Sequence, residues 1–268
     1  MSSNGKPRSR RSGHTYYIDD LRVPMSITGV LNKGYPKPAL VDAAAKESAR
    51  YVLNRWDELQ ELEPSERFDR VLAARHEVWG AGKTRGTVIH KYAHRMAPPP
   101  FGEGADLEIP DEYIGHVDAY LKFVADWQPR ELAVERPVYS RTHGYAGTPD
   151  LLAELVDGQV WLLDWKTTAS GVWPENALQL AAARFAEYVV EPDGTEVPLA
   201  DAFPPIEATG IVWLRADGYD LHPVEAGEDA FDTFLAVLDV ARYIGADRDE
   251  VIGDALLPPE RTHADHPF

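Results

Sequence analysis

The chain contains no cysteine, which excludes disulfides, thiolate zinc sites and any cysteine-held iron–sulfur cluster. No apolar run approaches the about 20 residues needed to span a bilayer. Arg10-Arg11 leads into polar residues rather than into a signal-like apolar segment. These absences predict a protein with no membrane partner that stays in the cytoplasm where it is made. Positive charge is also scarce: 27 lysines and arginines stand against 44 acids, a formal net charge of −17. Phosphate contacts are made by lysine and arginine, so this balance excludes indiscriminate, whole-surface binding to nucleic acid.

The few cations are not evenly spread. Between Val78 and Gly102 there is no acid, while Lys83, Arg85, Lys91 and Arg95 are all present together with His90 and His94. The strip reads as a phosphate-guiding face set in an otherwise acidic surface, against the alternative of an ordinary solvated helix face. With 44% hydrophobic residues over 268 positions, the chain can bury one substantial core, or one core with a helical appendage. The expected organisation is a flexible basic tail over 1–14, a single domain over 15–245 and a polar tail over 246–268. Within the domain, a helical part covers 38–127, and a sheet with its helices covers 131–245.

The chemistry-bearing stretch is Gly147-Thr148-Pro149-Asp150, followed after an apolar run by Asp164-Trp165-Lys166-Thr167-Thr168. A hard divalent cation needs oxygen ligands, and a phosphodiester under attack needs concentrated positive charge. Asp150 and Asp164 supply the first. Lys166, two residues beyond Asp164 on one strand face, orients water or neutralises charge on phosphorus. The hydroxyls of Thr167 and Thr168 are suited to hydrogen-bond phosphate.

The turn between the acids decides whether they can share an ion. Residues 151–155 and 159–165 read as two strands of a hairpin. A two-residue loop would set the acids on opposite faces of the sheet. A three-residue loop, Val156-Asp157-Gly158, with Gly158 left-handed, sets Asp150 opposite Asp164. The second register is the expected one.

These motifs resemble the PD-(D/E)XK nuclease superfamily, especially its RecB-like exonuclease branch with many bacteriophage members. Pro149-Asp150 with Asp164-Trp165-Lys166 carries the core of the likeness, which extends over roughly residues 80 to 190. Gly86-Thr87-Val88-Ile89-His90 is similar to the branch's glycine-to-histidine helix, and Ala177-Leu178-Gln179-Leu180 to its glutamine motif. Glu135 lies where relatives often carry a further acid. The branch's usual tyrosine, four residues after the glutamine, is replaced by Ala183, with Tyr188 further along.

The resemblance implies an α/β restriction-endonuclease-like core, a mixed and mainly antiparallel sheet flanked by helices, with an N-terminal helical extension. It implies Mg2+ or Mn2+ bound by Asp150, Asp164, His90 and the Trp165 carbonyl, with Glu135 at a second cation and Gln179 beside Lys166. The iron–sulfur cluster of some relatives is excluded. The implied activity is exonucleolytic hydrolysis of DNA during recombination or repair, alone or with a helicase or recombination partner, in the host cytoplasm if a phage encodes it. The alternatives are a structure-specific endonuclease on the same site and a decayed DNA-binding or assembly module. His90 and His94, one turn apart, form a second candidate metal pair.

Elsewhere, helical spacing predicts helices over 38–62, 64–79, 85–96, 110–127, 175–190 and 231–244. In the first of these, Leu40, Ala44, Tyr51, Val52 and Trp56 form a stripe expected to be buried. Strands are expected over 131–139, 208–215 and 219–222. Gly80-Ala81-Gly82-Lys83-Thr84 is not a phosphate loop, because Glu77 stands where that pattern needs glycine. His263-Ala264-Asp265-His266 is read as part of the tail.

Overall fold

The computed structural model describes residues 9–12, 15–18, 21–96, 109–191 and 193–256. The chain opens with β1 (Ser9–Ser12), β2 (Thr15–Ile18) and β3 (Leu21–Arg22), then passes through β4 (Met25–Ser26) into α1 (Ile27–Gly34). Helices α2 (Pro38–Asn54), α3 (Trp56–Gln60), α4 (Pro64–Met96) and α5 (Ile114–Trp127) follow. Then come β5 (Arg130–Val134), β6 (Val138–Ser140), β7 (Tyr145–Gly147), β8 (Leu151–Glu154), β9 (Val160–Lys166) and α6 (Glu175–Arg184). The last elements are β10 (Tyr188–Val190), β11 (Glu196–Pro198), α7 (Leu199–Ala202), β12 (Ala208–Arg215), β13 (Gly218–Pro223), α8 (Glu228–Gly245) and α9 (Arg248–Val251).

The architecture is α/β, but the strands do not form the single sheet expected. Among the described residues they form two five-stranded mixed sheets, ordered β13-β12-β9-β8-β5 and β11-β10-β6-β7-β4, and a small meander β1-β2-β3. Each large sheet is antiparallel except for one pair, β9 with β12 and β4 with β7. The meander uses Ser9–Ser12, inside the stretch expected to be a tail. Similarly, α9 falls within the expected C-terminal tail.

The site is held by the first sheet, in which β9 is the central strand. Its side chains alternate between two cores. Leu162, with Leu152 and Ile211, packs against α1, α6 and α8. Leu163 and Trp165, with Leu151 and Val212, pack against α5 and the C-terminal half of α4. A strand buried on both faces reads as a continuous apolar run, as Val160 to Leu163 do.

Several expected boundaries move. The helix over 64–79 does not stop at Gly80; α4 runs unbroken for 33 residues. Glycine lowers helix propensity by about 1 kcal/mol without blocking the ladder, and no proline stands in the interior to break it. The helix expected to reach residue 190 ends at Arg184, because Tyr188 and Val189 pair with Tyr139 and Val138 of β6. The strand over 131–139 is two strands in different sheets. Arg136-Pro137 lies at the crossing, where proline has no N–H for a ladder. The stripe expected over 38–62 is not buried: no α2 residue is, Leu40 is exposed, and Trp56, which opens α3, is exposed too. The cluster at residues 263–266 lies outside the described residues.

Candidate active site

The hairpin supplies the first condition for a shared site. Leu151 pairs with Leu163, Leu152 with Leu162 and Glu154 with Val160, a register that sets Asp150 opposite Asp164. The loop is the expected three residues, with Gly158 at φ 80° and its amide donating to the Leu155 carbonyl at 2.9 Å. Asp157 braces the turn, its carboxylate accepting from the Gln159 amide at 3.0 Å and from the Trp161 indole at 3.1 Å. Asp164 follows the alternation of β9 onto the Leu162 face, and Asp150 extends the Leu152 face.

Both acids are buried, Asp150 at 7% exposure and Asp164 at 3%. An ionised carboxylate that deep needs partners, and the fold delivers them from separate segments. Asp150 Oδ2 accepts from the Trp165 amide at 2.8 Å, while Oδ1 lies 3.1 Å from His90 Nδ1 on α4. On α6, Gln179 donates from Nε2 to Asp164 Oδ1 at 2.7 Å and accepts at Oε1 from Lys166 Nζ at 3.2 Å. The Lys166 ammonium also forms an ion pair with Asp164 Oδ2. That oxygen is in charge contact with Lys166 but accepts no aligned hydrogen bond from the described residues.

Burial and charge act against each other here. Burial opposes charging of His90, but the Asp150 carboxylate and its hydrogen bond outweigh this and raise the imidazole to about 9. Burial likewise works against ionised Asp150, yet His90 and Lys166 hold it below the usual carboxylate range. Asp164 is pushed up to about 6, by burial first and by neighbouring Asp150, despite Lys166. Lys166 is raised by the two acids in spite of burial. The result is two acids with unlike proton affinities joined to two cations.

His90, Asp150, Asp164, Lys166 and Gln179 are thus brought together. Among the described residues, no group of three or more histidine and acid side chains is arranged to hold a metal. Of the groups expected as ligands, Asp150 contacts His90 and Asp164 pairs with Lys166. The donor chemistry fits a hard divalent cation: two buried carboxylates and an imidazole.

Glu135 is not on the expected strand. It follows β5 in a left-handed conformation, φ 45°, and its amide donates to the Asp150 carbonyl at 3.0 Å. Trp165 turns its ring to the opposite core, edge-on to Tyr120 and Phe123. Tyr188 lies on β10, stacked on Tyr139, while Ala183 is buried in the core with α6.

The basic strip has several fates. Arg85 donates to the Thr167 carbonyl at 2.6 Å, tying α4 to the chain leaving β9, and its Nε is buried without a partner among the described residues. Lys91 is exposed. The side chains of Lys83 and Arg95 lie outside the described residues. Thr167 is buried, and the exposed Thr168 donates its hydroxyl to the Gly171 carbonyl at 3.0 Å. His94 is half-buried, with Nδ1 unpartnered among the described residues. One support had no sequence signal: the Tyr16 hydroxyl lies 2.8 Å from Thr148 Oγ1, 132 positions away, bracing the entry to Asp150.

The chain matches no protein-family model, and no curated protein matches it. Among the described residues, no helix is long and apolar enough to cross a membrane.

Proposed function

We propose that the chain is a metal-dependent deoxyribonuclease of the PD-(D/E)XK type, acting from DNA ends in recombination or repair. The observation that carries this reading is the joining of Asp150, Asp164, Lys166, Gln179 and His90, from three separate stretches of sequence, into one buried polar cluster. Asp150 and Asp164 would hold Mg2+ or Mn2+, with His90 and the Trp165 carbonyl completing the set. When bound, the ion supplies charge neutralisation at the scissile phosphate.

The chain's own groups do the rest. Lys166, kept charged by the acids, donates toward the attacking water and the phosphate oxygens. Gln179 fixes the Lys166 ammonium beside Asp164 through one hydrogen bond to each. Water attacks phosphorus and gives up a proton to solvent, a new P–O bond forms, the bond to the 3′ oxygen breaks, and that oxygen takes a proton from solvent, leaving a 5′-phosphate. Asp150 is held by the Trp165 amide on the very strand that carries Asp164 and Lys166, so the parts keep their spacing.

The test is degradation of end-labelled single- and double-stranded DNA with Mg2+ or Mn2+, with linear and closed circular DNA compared. Wild type should degrade linear DNA and leave the circle intact, and Lys166→Ala should lose about 10²–10⁴-fold in rate. Equal degradation by wild type, Lys166→Ala and Asp164→Ala would refute the assignment. Cutting of the circle would make it an endonuclease, and DNA binding without cleavage a decayed module.

A further inference from the structure

The segment joining Lys166 to Gln179 carries an aromatic side chain that the reaction leaves unused. Trp173, on the segment between Lys166 and Gln179, is 43% exposed. It is held in place nonetheless. Its backbone amide donates to Oδ1 of the buried Asn176 at 2.9 Å, and its indole Nε1 donates to Ser170 Oγ at 3.2 Å. An exposed indole hydrogen-bonded at its polar edge, on an anchored backbone, can meet a ligand at little further entropic cost.

The surroundings connect this face with the cluster. Glu175, two residues on, acts electrostatically on the Lys166 ammonium and lies 4.0 Å from Lys37 Nζ. On the neighbouring strand, Trp213 pairs with Lys166 and its indole donates to the Thr168 carbonyl at 2.8 Å, holding the other end of the same loop. The loop is thus pinned to β12, to α4 through Arg85 and to the start of α6, with Trp173 at its exposed end.

An anchored, exposed indole on the loop that joins Lys166 to Gln179 suits one ligand chemistry well. Every nucleobase offers a π-face, and stacking needs no hydrogen-bond reading of sequence. We propose that Trp173 is a stacking platform for an unpaired base at the DNA end, so that the substrate strand enters the site single-stranded. This rests on the deoxyribonuclease reading above. A paired base is already stacked on its neighbours, so the platform favours a strand whose terminal bases are free.

The experiment compares wild type, Trp173→Ala and Trp173→Phe on a short single-stranded oligodeoxynucleotide and on the same strand with abasic residues at both ends. Far-UV circular dichroism serves as the check of folding. Trp173→Ala should raise KM about tenfold on the ordinary strand, the size of one lost base–aromatic stack, with the loss in KM rather than kcat. Trp173→Phe should recover most of it, and the abasic strand should erase the difference between wild type and Trp173→Ala. An unchanged KM in folded Trp173→Ala, or an equal defect on the abasic strand, overturns the platform while leaving the nuclease reading intact. A folded wild type that hydrolyses no DNA overturns both.

Discussion

The two halves of α4 behave as if they belonged to different proteins. Its C-terminal half buries Ile89, Tyr92 and Ala93 against α5 and the sheet and brings His90 to Asp150. Its N-terminal half pairs with α2, and along this arm Val41, Leu53, Trp56, Phe68 and Leu72 are exposed. Helical spacing is present in both halves, but only one is apposed to a sheet. Amphipathic pattern is thus a necessary condition for burial and not a sufficient one, and His90 sits on the half that found a partner.

The largest effect that would break this comparison is catalytic. Asp150→Ala should abolish cleavage, and a DNA-degradation assay that finds it unaffected would detach α4 from function. Next comes the core. Leu163→Ala removes a fully buried side chain from β9 and should cost about 2–5 kcal/mol in urea denaturation. Leu53→Ala, 80% exposed on the arm, should stay within about 0.5 kcal/mol. Similar costs at the two positions would mean that the arm is covered in solution.

Gln179→Leu should slow single-turnover cleavage by roughly tenfold, because it frees Lys166 and leaves a buried Asp164 oxygen without its donor. A smaller effect comes from Glu131 on β5, which burial raises from 4.5 to about 7. The folded state keeps a proton that the unfolded chain has released, so stability falls as pH rises from about 4.5 to about 7. The side chain is only half-buried, so screening should limit the change to about 1 kcal/mol. Glu131→Gln should flatten that slope, and an unchanged slope would place the titration elsewhere. The mildest test is Gly86→Ala: an added Cβ would meet Thr167 Oγ1 at 3.5 Å, ordinary contact. The unfolding midpoint should rise by the equivalent of up to about 1 kcal/mol, the difference in helix propensity, and destabilisation would show that α4 must approach β9 more closely.

Much of the site was legible because it is local. The step of two from Asp164 to Lys166 and the turn chemistry of Asp157-Gly158 depend on a few neighbouring φ and ψ values, which residue types control directly. Strands β12 and β13 and helix α8 were legible for the same reason. The second five-stranded sheet was not. Its strands β6, β7 and β10 are three residues each, too short for a periodic signal, and exist through pairing with distant segments. Glu135 was misplaced on a strand for a related reason: the break before β6 is a change of sheet, and sheet membership is not a local property.

The sequence by itself determined which residue types carry the chemistry and the hairpin register that sets Asp150 against Asp164, since alternation and turn residues act over a few positions. Only the tertiary structure decided that Gln179 bridges Lys166 and Asp164 and that His90 reaches Asp150. Those contacts join segments whose separate patterns do not specify one another. They form because two carboxylates driven inward by sheet packing must find opposite charge and hydrogen-bond donors wherever the fold brings them.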